Sequence, residues 1–314
     1  MKKSKRVYRF LIGSAVLSLV LSSFQGQAYA DETSSTVNPD SASNPTQSGQ
    51  PSKPAEPSTY DKISKHVALT YFNVVRGGPL NDVTNRYQPA PDGTLDTTST
   101  QNVEGTVTAG WKFSKDWMFG AYTHFFYSPL GNPTSADNAN MQWLDPALVL
   151  SKANMVSIGG LKIKGQLSAT IPVSQYDTLK KNGTLTGITP TANILYDIPK
   201  TKLTLGLYTY FTAYIPGSNA IENYRTLKLI MAPNANYQIS KSFAATLWID
   251  AVQVRRFKHS GFFSGMNNPE MDIEPGVNWD ITPFLSFNPF LNIYPGKPTL
   301  SATSFQAVLA GKIL

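Results

Sequence analysis

Lys202-Leu203-Thr204-Leu205-Gly206-Leu207-Tyr208-Thr209-Tyr210-Phe211-Thr212-Ala213-Tyr214 changes character at every step. Leu203, Leu205, Leu207, Thr209, Phe211 and Ala213 fall on one side; Thr204, Gly206, Tyr208, Tyr210, Thr212 and Tyr214 fall on the other. Successive side chains of an extended chain point to opposite faces, so this stretch is a strand with one greasy and one wetter face. The same rhythm recurs on either side of it. In Leu161–Val173, Leu161, Ile163, Leu167, Ala169 and Ile171 oppose Lys162, Lys164, Gln166, Ser168 and Thr170. In Thr226–Tyr237, Leu227, Leu229, Met231 and Ala235 oppose Lys228, Asn234 and Asn236. In Met271–Ile281, Met271, Ile273, Val277, Trp279 and Ile281 oppose Asp272, Glu274, Asn278 and Asp280.

Taken along the chain from about residue 60, this period gives strands near 66–76, 102–113, 117–127, 141–150, 160–173, 184–196, 202–214, 224–237, 243–255, 270–281, 284–294 and 300–313. The connections between them alternate. Short ones fall at Ser114–Asp116, Ser151–Gly159, Pro199–Thr201, Ser240–Ser242 and Thr282–Pro283. Long ones fall at Gly77–Gln101, Ser128–Asn140, Ser174–Gly183, Pro216–Asn223, Phe257–Pro269 and Pro295–Thr299. A sandwich has no reason to keep that order; an up-and-down barrel with tight turns at one end and loops at the other does. An even strand count brings both chain ends to the tight-turn side. Prolines at 146, 172, 190, 233, 275 and 289 interrupt this pattern, because each removes a ladder donor.

The N-terminus reads differently. Lys2, Lys3, Lys5, Arg6 and Arg9 precede an apolar run, Phe10–Leu21, and Ala28-Tyr29-Ala30 follows. That is the pattern of an export signal, residues 1–30, cut after Ala30; the run is too short to span a bilayer as a helix. Residues 31–59 are mostly Ser, Thr, Pro, Asn and Gln and can bury no core, so a disordered linker on the periplasmic side is expected. Five of the 27 lysines and arginines lie in the signal, which leaves 22 against 20 acidic residues. The basic balance therefore gives no case for a nucleic-acid partner. With no cysteine there is neither disulfide nor thiolate metal site, and three scattered histidines offer no metal set.

After the signal, no segment has the roughly 18 uninterrupted apolar residues of a spanning helix. A membrane role must come from strands closed on themselves. Two features favour that role. Aromatic residues gather at strand ends beside the short connections: Trp111, Phe113, Trp117, Phe119, Tyr196, Tyr237, Phe243, Trp279 and Phe284. Amphipathic rings settle at headgroup depth, so a girdle is expected there. The strands are also long enough for the 9–11 residues of a tilted crossing.

The signal, the alternating strands, the Ser-Lys-Ser type turns and the aromatic-bearing last strand, Phe305–Leu314, resemble bacterial outer-membrane β-barrel proteins. The likeness is one of architecture and covers the chain from about residue 60. It implies a closed antiparallel transmembrane β-barrel of about twelve strands in meander order, residues 60–314, in the outer membrane of a Gram-negative bacterium. It also implies lipid and lipopolysaccharide as surroundings and the barrel-insertion machinery as a partner. Such proteins commonly end on an aromatic residue; this chain ends Lys312-Ile313-Leu314.

In a membrane barrel the polar faces enclose the lumen. Lys162, Lys164 and Lys228 are then expected on one part of the inner wall, with Lys112 and Arg76 as additions. Asp250, Asp272, Glu274 and Asp280 are expected on another, with Glu104 and Asp145 elsewhere. Opposed walls of charge orient dipolar solutes; the same charges could instead pair and hold the barrel shut. Tyr208, Tyr210, Tyr214, Trp248 and Tyr122 point inward as well. The expectation is a monomeric or weakly oligomeric pore, the monomer favoured, for passive diffusion of small polar or charged solutes, with no cofactor. An adhesive barrel binding through the 25-residue loop from Gly77 is the alternative. A lipid hydrolase is the third reading. Outer-membrane phospholipase A carries His-x-Ser on a lipid-facing strand, whereas here His66, His124 and His259 precede Val67-Ala68, Phe125-Phe126 and Ser260-Gly261.

Overall fold

The computed structural model describes residues 63, 65–129, 140–174, 178–260 and 271–313. The expected signal and linker lie outside these residues, as do the greater part of the Ser128–Asn140 connection and most of Phe257–Pro269. Sixteen strands are present: β1 (Val67–Pro79), β2 (Tyr87–Pro89), β3 (Leu95–Thr100), β4 (Asn102–Lys112), β5 (Trp117–Tyr127), β6 (Met141–Trp143), β7 (Ala147–Ile158), β8 (Leu161–Thr170), β9 (Thr184–Asp197), β10 (Leu203–Pro216), β11 (Arg225–Ser240), β12 (Phe243–Ile249), β13 (Val252–Phe257), β14 (Ile273–Thr282), β15 (Leu285–Asn292) and β16 (Ser304–Lys312). A single helical turn, Thr178–Lys181, precedes β9.

These strands close a twelve-stranded antiparallel barrel. Each wall strand pairs with the next wall strand along the chain, and β1 pairs both with β4 and with β16, which removes the free edge. β12 and β13 are two pieces of one wall strand, both paired with β11. β6 is a short extension paired with β5, and β2–β3 form a separate hairpin inside the first long connection. That connection therefore carries structure of its own.

Local chemistry sets the turns and the interruptions. Gly159 and Gly160, at φ 57° and 88°, form the two-residue link between Ile158 and Leu161. Positive φ at both positions matches the twist of a tight hairpin, and glycine adopts it without a steric cost. The expected short connection Ser151–Gly159 contracts to this pair, because β7 continues through Ile158. A bulge between Lys152 and Val156 hid the continuation, since it breaks the period of two. At Asp145-Pro146 the wall is interrupted between β6 and β7. There the buried Asp145 accepts, through Oδ1, the N–H groups of Val173 and Ser174, each at 2.7 Å, and pins the next connection. The break between β12 and β13, at Asp250-Ala251, lies opposite Pro233, which has no N–H to give. Elsewhere Pro190, Pro275 and Pro289 sit within paired strands, each giving up one donor.

The two faces of the wall differ as a membrane barrel requires. Trp111, Phe113, Phe119, Tyr196, Tyr237, Trp279 and Phe284 stand exposed on the outside near the short turns. Tyr127, Trp143, Ile171, Leu185, Ile215 and Phe305 stand exposed toward the other end, with Leu148, Leu167, Leu205, Phe211 and Leu247 among the exposed residues of the wall. Lys152 lays its ammonium 5.1 Å from the Trp117 ring, a pairing suited to headgroup depth. From Trp117 to Tyr127, about 33 Å of strand tilted by about 40° rises about 25 Å, the height of an apolar band. An outer surface this apolar is stable only against lipid. Among the described residues no helix is long and apolar enough to cross a membrane, so the strands are the crossing elements.

Candidate functional site in the barrel lumen

The inward face follows from the alternation. On β10, Tyr208, Tyr210 and Thr212 are buried while Leu205 and Phe211 are exposed. On β11, Lys228, Ile230 and Ala232 point inward with them. Tyr208 and Tyr210 lie with ring centroids 5.8 Å apart, and Lys228 Nζ sits 5.3 Å from the centre of the Tyr210 ring. Lys228 is wholly enclosed, at 0% exposure.

The waist is more apolar than a polar lumen implies. Phe72 and Val74 of β1, Phe290 of β15, and Val308 and Ala310 of β16 make one buried cluster. Tyr208, Tyr210, Ile230 and Ala232 make another, and Trp248 of β12 packs against both. Gly276 makes room between them: a Cβ there would come within 2.7 Å of Phe290 Cβ. Across the barrel Tyr122 donates to Ser168 Oγ at 3.3 Å and lies within electrostatic range of Tyr208. The tyrosines and Trp248 of this waist are among the inward residues expected from the alternation, whereas Phe72, Val74, Phe290 and Val308 are not.

Charge surrounds it. Arg76 donates through Nη1 to Gln306 Oε1 at 2.8 Å and through Nη2 to Glu104 Oε2 at 3.3 Å, with both ionised side chains buried. Asp250, Asp272 and Glu274 come together at the β12–β13 break and the start of β14, within electrostatic range of one another. Asn292 donates to Asp272 Oδ2 at 2.6 Å, and the Asp250 N–H donates to the Asp272 carbonyl at 3.1 Å. Arg76 also acts on Asp272 and Glu274 from the far side of β15 and β16. On the adjoining strands, Lys228 and Arg255 are direct cross-strand partners on β11 and β13, and Arg225 lies beyond them. Among the described residues no three His, Asp or Glu side chains are spaced to hold a metal ion.

The sequence candidates therefore separate. Tyr208, Tyr210 and Lys228 form one group, and Asp250, Asp272 and Glu274 a second. Lys164 faces inward in the same cross-strand row as Tyr208, through Asn193. Asp280 accepts from Asn278 Nδ2 at 3.0 Å, close to the β14–β15 turn. Lys162 stands apart from the basic wall expected for it. It pairs with Asp197 at 2.9 Å at the tight-turn rim, with both side chains about half exposed. Arg225 escaped the sequence reading because a bulge shifts the phase of β11, and Arg255 because the break at Asp250-Ala251 shifts the phase of β13 relative to β12. The run Val252-Gln253-Val254-Arg255-Arg256-Phe257, with two adjacent arginines in a strand, was the available signal.

The histidines do not assemble a lipid-facing catalytic pair. His124 is inside the barrel, its Nδ1 2.8 Å from Thr106 Oγ1 and its ring edge-on to Tyr122. His66 stacks on Trp111, and the His259 N–H points to Asn223 Oδ1.

Fold and lumen together define a membrane-spanning β-barrel with a charged, aromatic interior. No protein-family model matches the chain, and no curated protein is significantly similar in sequence. Solved structures resemble it in fold. An outer membrane channel from Pseudomonas putida F1 is 9% identical over 79% of this chain and 95% of its own, with a TM-score of 0.46. The NanC porin is 10% identical over 77% of this chain and 98% of its own, at 0.40. Outer membrane phospholipase A from Escherichia coli is 9% identical over 79% of this chain and 91% of its own, at 0.35.

Proposed function

We propose that this chain is an outer-membrane channel of a Gram-negative bacterium that passes small polar or charged solutes by diffusion, as a monomer and without a catalytic role. In this reading residues 1–30 are the export signal, cleaved after Ala30, and residues 31–59 are a periplasmic linker. The observation that carries the reading is the buried charge inside the apolar-clad barrel: Arg76, Glu104, Lys228 and Glu274 are all nearly inaccessible. A barrel that only needed stability would do as well with apolar filling, since removing ions from water costs several kcal/mol each. Charges of both signs enclosed in the lumen instead make a field that a passing solute feels. The aromatic waist around Trp248 sets a narrow passage, in keeping with a twelve-strand circumference. His124 lies inside the wall rather than against acyl chains, which favours a channel over a lipid hydrolase.

Single-channel recording on purified, refolded full-length protein in planar bilayers tests this. Discrete conductance steps are expected, with a reversal potential that moves when the inward charges are changed. A folded barrel, recognised by heat-modifiable migration on a gel, that inserts yet conducts no ions would refute the proposal.

A further inference from the structure

Two arginines inside the barrel are treated differently. Arg76 has what a structural arginine has: a carboxylate and an amide oxygen within hydrogen-bond reach of its two Nη atoms, although its Nε has no partner among the described residues. Arg225 is also buried, at 8% exposure, yet its Nε and Nη1 have no acceptor among the described residues. Its guanidinium is held between two rings, 5.6 Å from the centre of Tyr214 and 5.7 Å from that of Phe257. Rings fix a guanidinium plane without satisfying its N–H groups. A buried donor left open in this way is costly.

The backbone brings it there. Residues 225 and 228 would face opposite sides of a regular strand. A register shift between Arg225↔Phe257 and Leu227↔Arg256 inserts one extra residue, so Arg225 and Lys228 share the inner face. Lys228 lies directly across from Arg255, and like charges directly opposite each other oppose pairing. Three cations thus converge on one stretch of wall, β11 and β13. Among the acids of the lumen, Asp272 and Glu274 lie within electrostatic range of Arg76, and Asp250 acts with Arg255 on Tyr210 beside this stretch. At the tight-turn end, the inward positions of β4, β8 and β16 carry Lys112, Lys164 and Lys312. An anion traversing the lumen would therefore meet basic groups at both ends.

We propose that Arg225, Lys228 and Arg255 form an oxyanion-binding site in the half of the lumen nearest the long loops, for small solutes bearing a carboxylate or phosphate group. Arg225 supplies the planar donors such a group pairs with. Tyr214 and Phe257 hold it in place, and Lys228 and Arg255 add positive potential beneath. The proposal rests on the channel reading for its biological sense, although binding itself requires no conduction.

Isothermal titration of the detergent-folded full-length protein with glucuronate, inorganic phosphate and glucose tests it. Saturable binding of glucuronate or phosphate, and none of glucose, is expected; which anion binds more tightly tells a sugar acid from a phosphate. Arg225→Gln should weaken that binding about tenfold or more, as loss of a charge-assisted pair does. Arg225→Lys, which keeps the charge and loses the fork, should fall in between. Equal binding of glucose, absence of saturable anion binding, or an unchanged affinity in folded Arg225→Gln would overturn the site. If Arg225→Gln gives no heat-modifiable barrel, the wild-type preference for anion over glucose decides alone. Conductance recorded in parallel separates the two ideas. Steps without anion binding would remove the site and leave the channel; anion binding without steps would do the reverse.

Discussion

The β4–β5 hairpin and the β11–β13 hairpin are built from similar lengths of chain and behave as opposites. β4 and β5 pair without a break from Val103↔Tyr127 to Lys112↔Met118. β11 slips register against its following partner near Arg225 and near Gln238, and that partner is broken into β12 and β13. The regular hairpin presents Ala109 and Ala121 to the outside, directly opposite each other, and Thr106, His124 and Phe126 to the lumen. The irregular one gathers Arg225, Lys228, Arg255 and Asp250. Bulges cost ladder hydrogen bonds and are tolerated where they re-aim a side chain. The contrast teaches that the barrel is maintained by its even strands and that its chemistry is concentrated where the period fails.

The contrast breaks most sharply at the buried Arg76–Glu104 pair. Arg76→Met leaves Glu104 enclosed without its partner, and removing one member of a buried pair costs about 3–5 kcal/mol. Combining Arg76→Met with Glu104→Leu should recover most of that loss, because neither charge is then stranded. Urea unfolding of the detergent-folded protein measures both. A double variant as unstable as the single one would mean that Arg76 is held chiefly by its other neighbours. In the regular hairpin the sensitive face is the outer one: Ala121→Arg places a cation against acyl chains and should cost about 2–4 kcal/mol. An equal cost for the inward-facing Thr108→Ala would contradict the assignment of faces.

The waist gives a functional reading of the same division. Trp248 joins the aromatic clusters on the two sides of β12, so Trp248→Ala removes the link between them. Larger single-channel conductance is expected, together with lower stability, since truncating a packed aromatic opens a cavity. Conductance equal to wild type in a folded variant would place the narrowest point elsewhere.

The architecture was legible because side-chain period does not depend on partner. All twelve wall strands follow from alternation, and the interruption at Asp145-Pro146 follows from proline chemistry. Tyr208, Tyr210, Lys228 and Glu274 are buried as the same rule expects; for Lys228 this holds because the bulge of β11 falls before it, between Arg225 and Leu227. Arg225 was not legible: counted by twos from Lys228 it falls outside, and only the bulge beside it turns it inward. Phe72, Val74, Phe290 and Val308 were missed for a different reason. Their alternation is regular, but on β1, β15 and β16 both faces carry apolar residues, so polarity cannot say which one is the lumen. Lys162 had the right phase and the wrong depth, which a pattern without heights cannot supply.

Lys162 is accordingly the site of the smallest expected effect, and a sharp one for the comparison. Its pair with Asp197 is short, at 2.9 Å, but both side chains are about half in water. Exposed pairs contribute about 0–1 kcal/mol, because solvent screens the attraction and ordering two long side chains offsets much of it. Lys162→Gln should therefore leave unfolding nearly unchanged and shift the reversal potential in a salt gradient only slightly. Lys228→Gln, which removes a cation enclosed in the lumen, should move the reversal potential further toward cation selectivity. A larger shift from Lys162 than from Lys228 would mean that ions are selected at the tight-turn rim, and the irregular wall of β11 and β13 would lose its claim to govern passage.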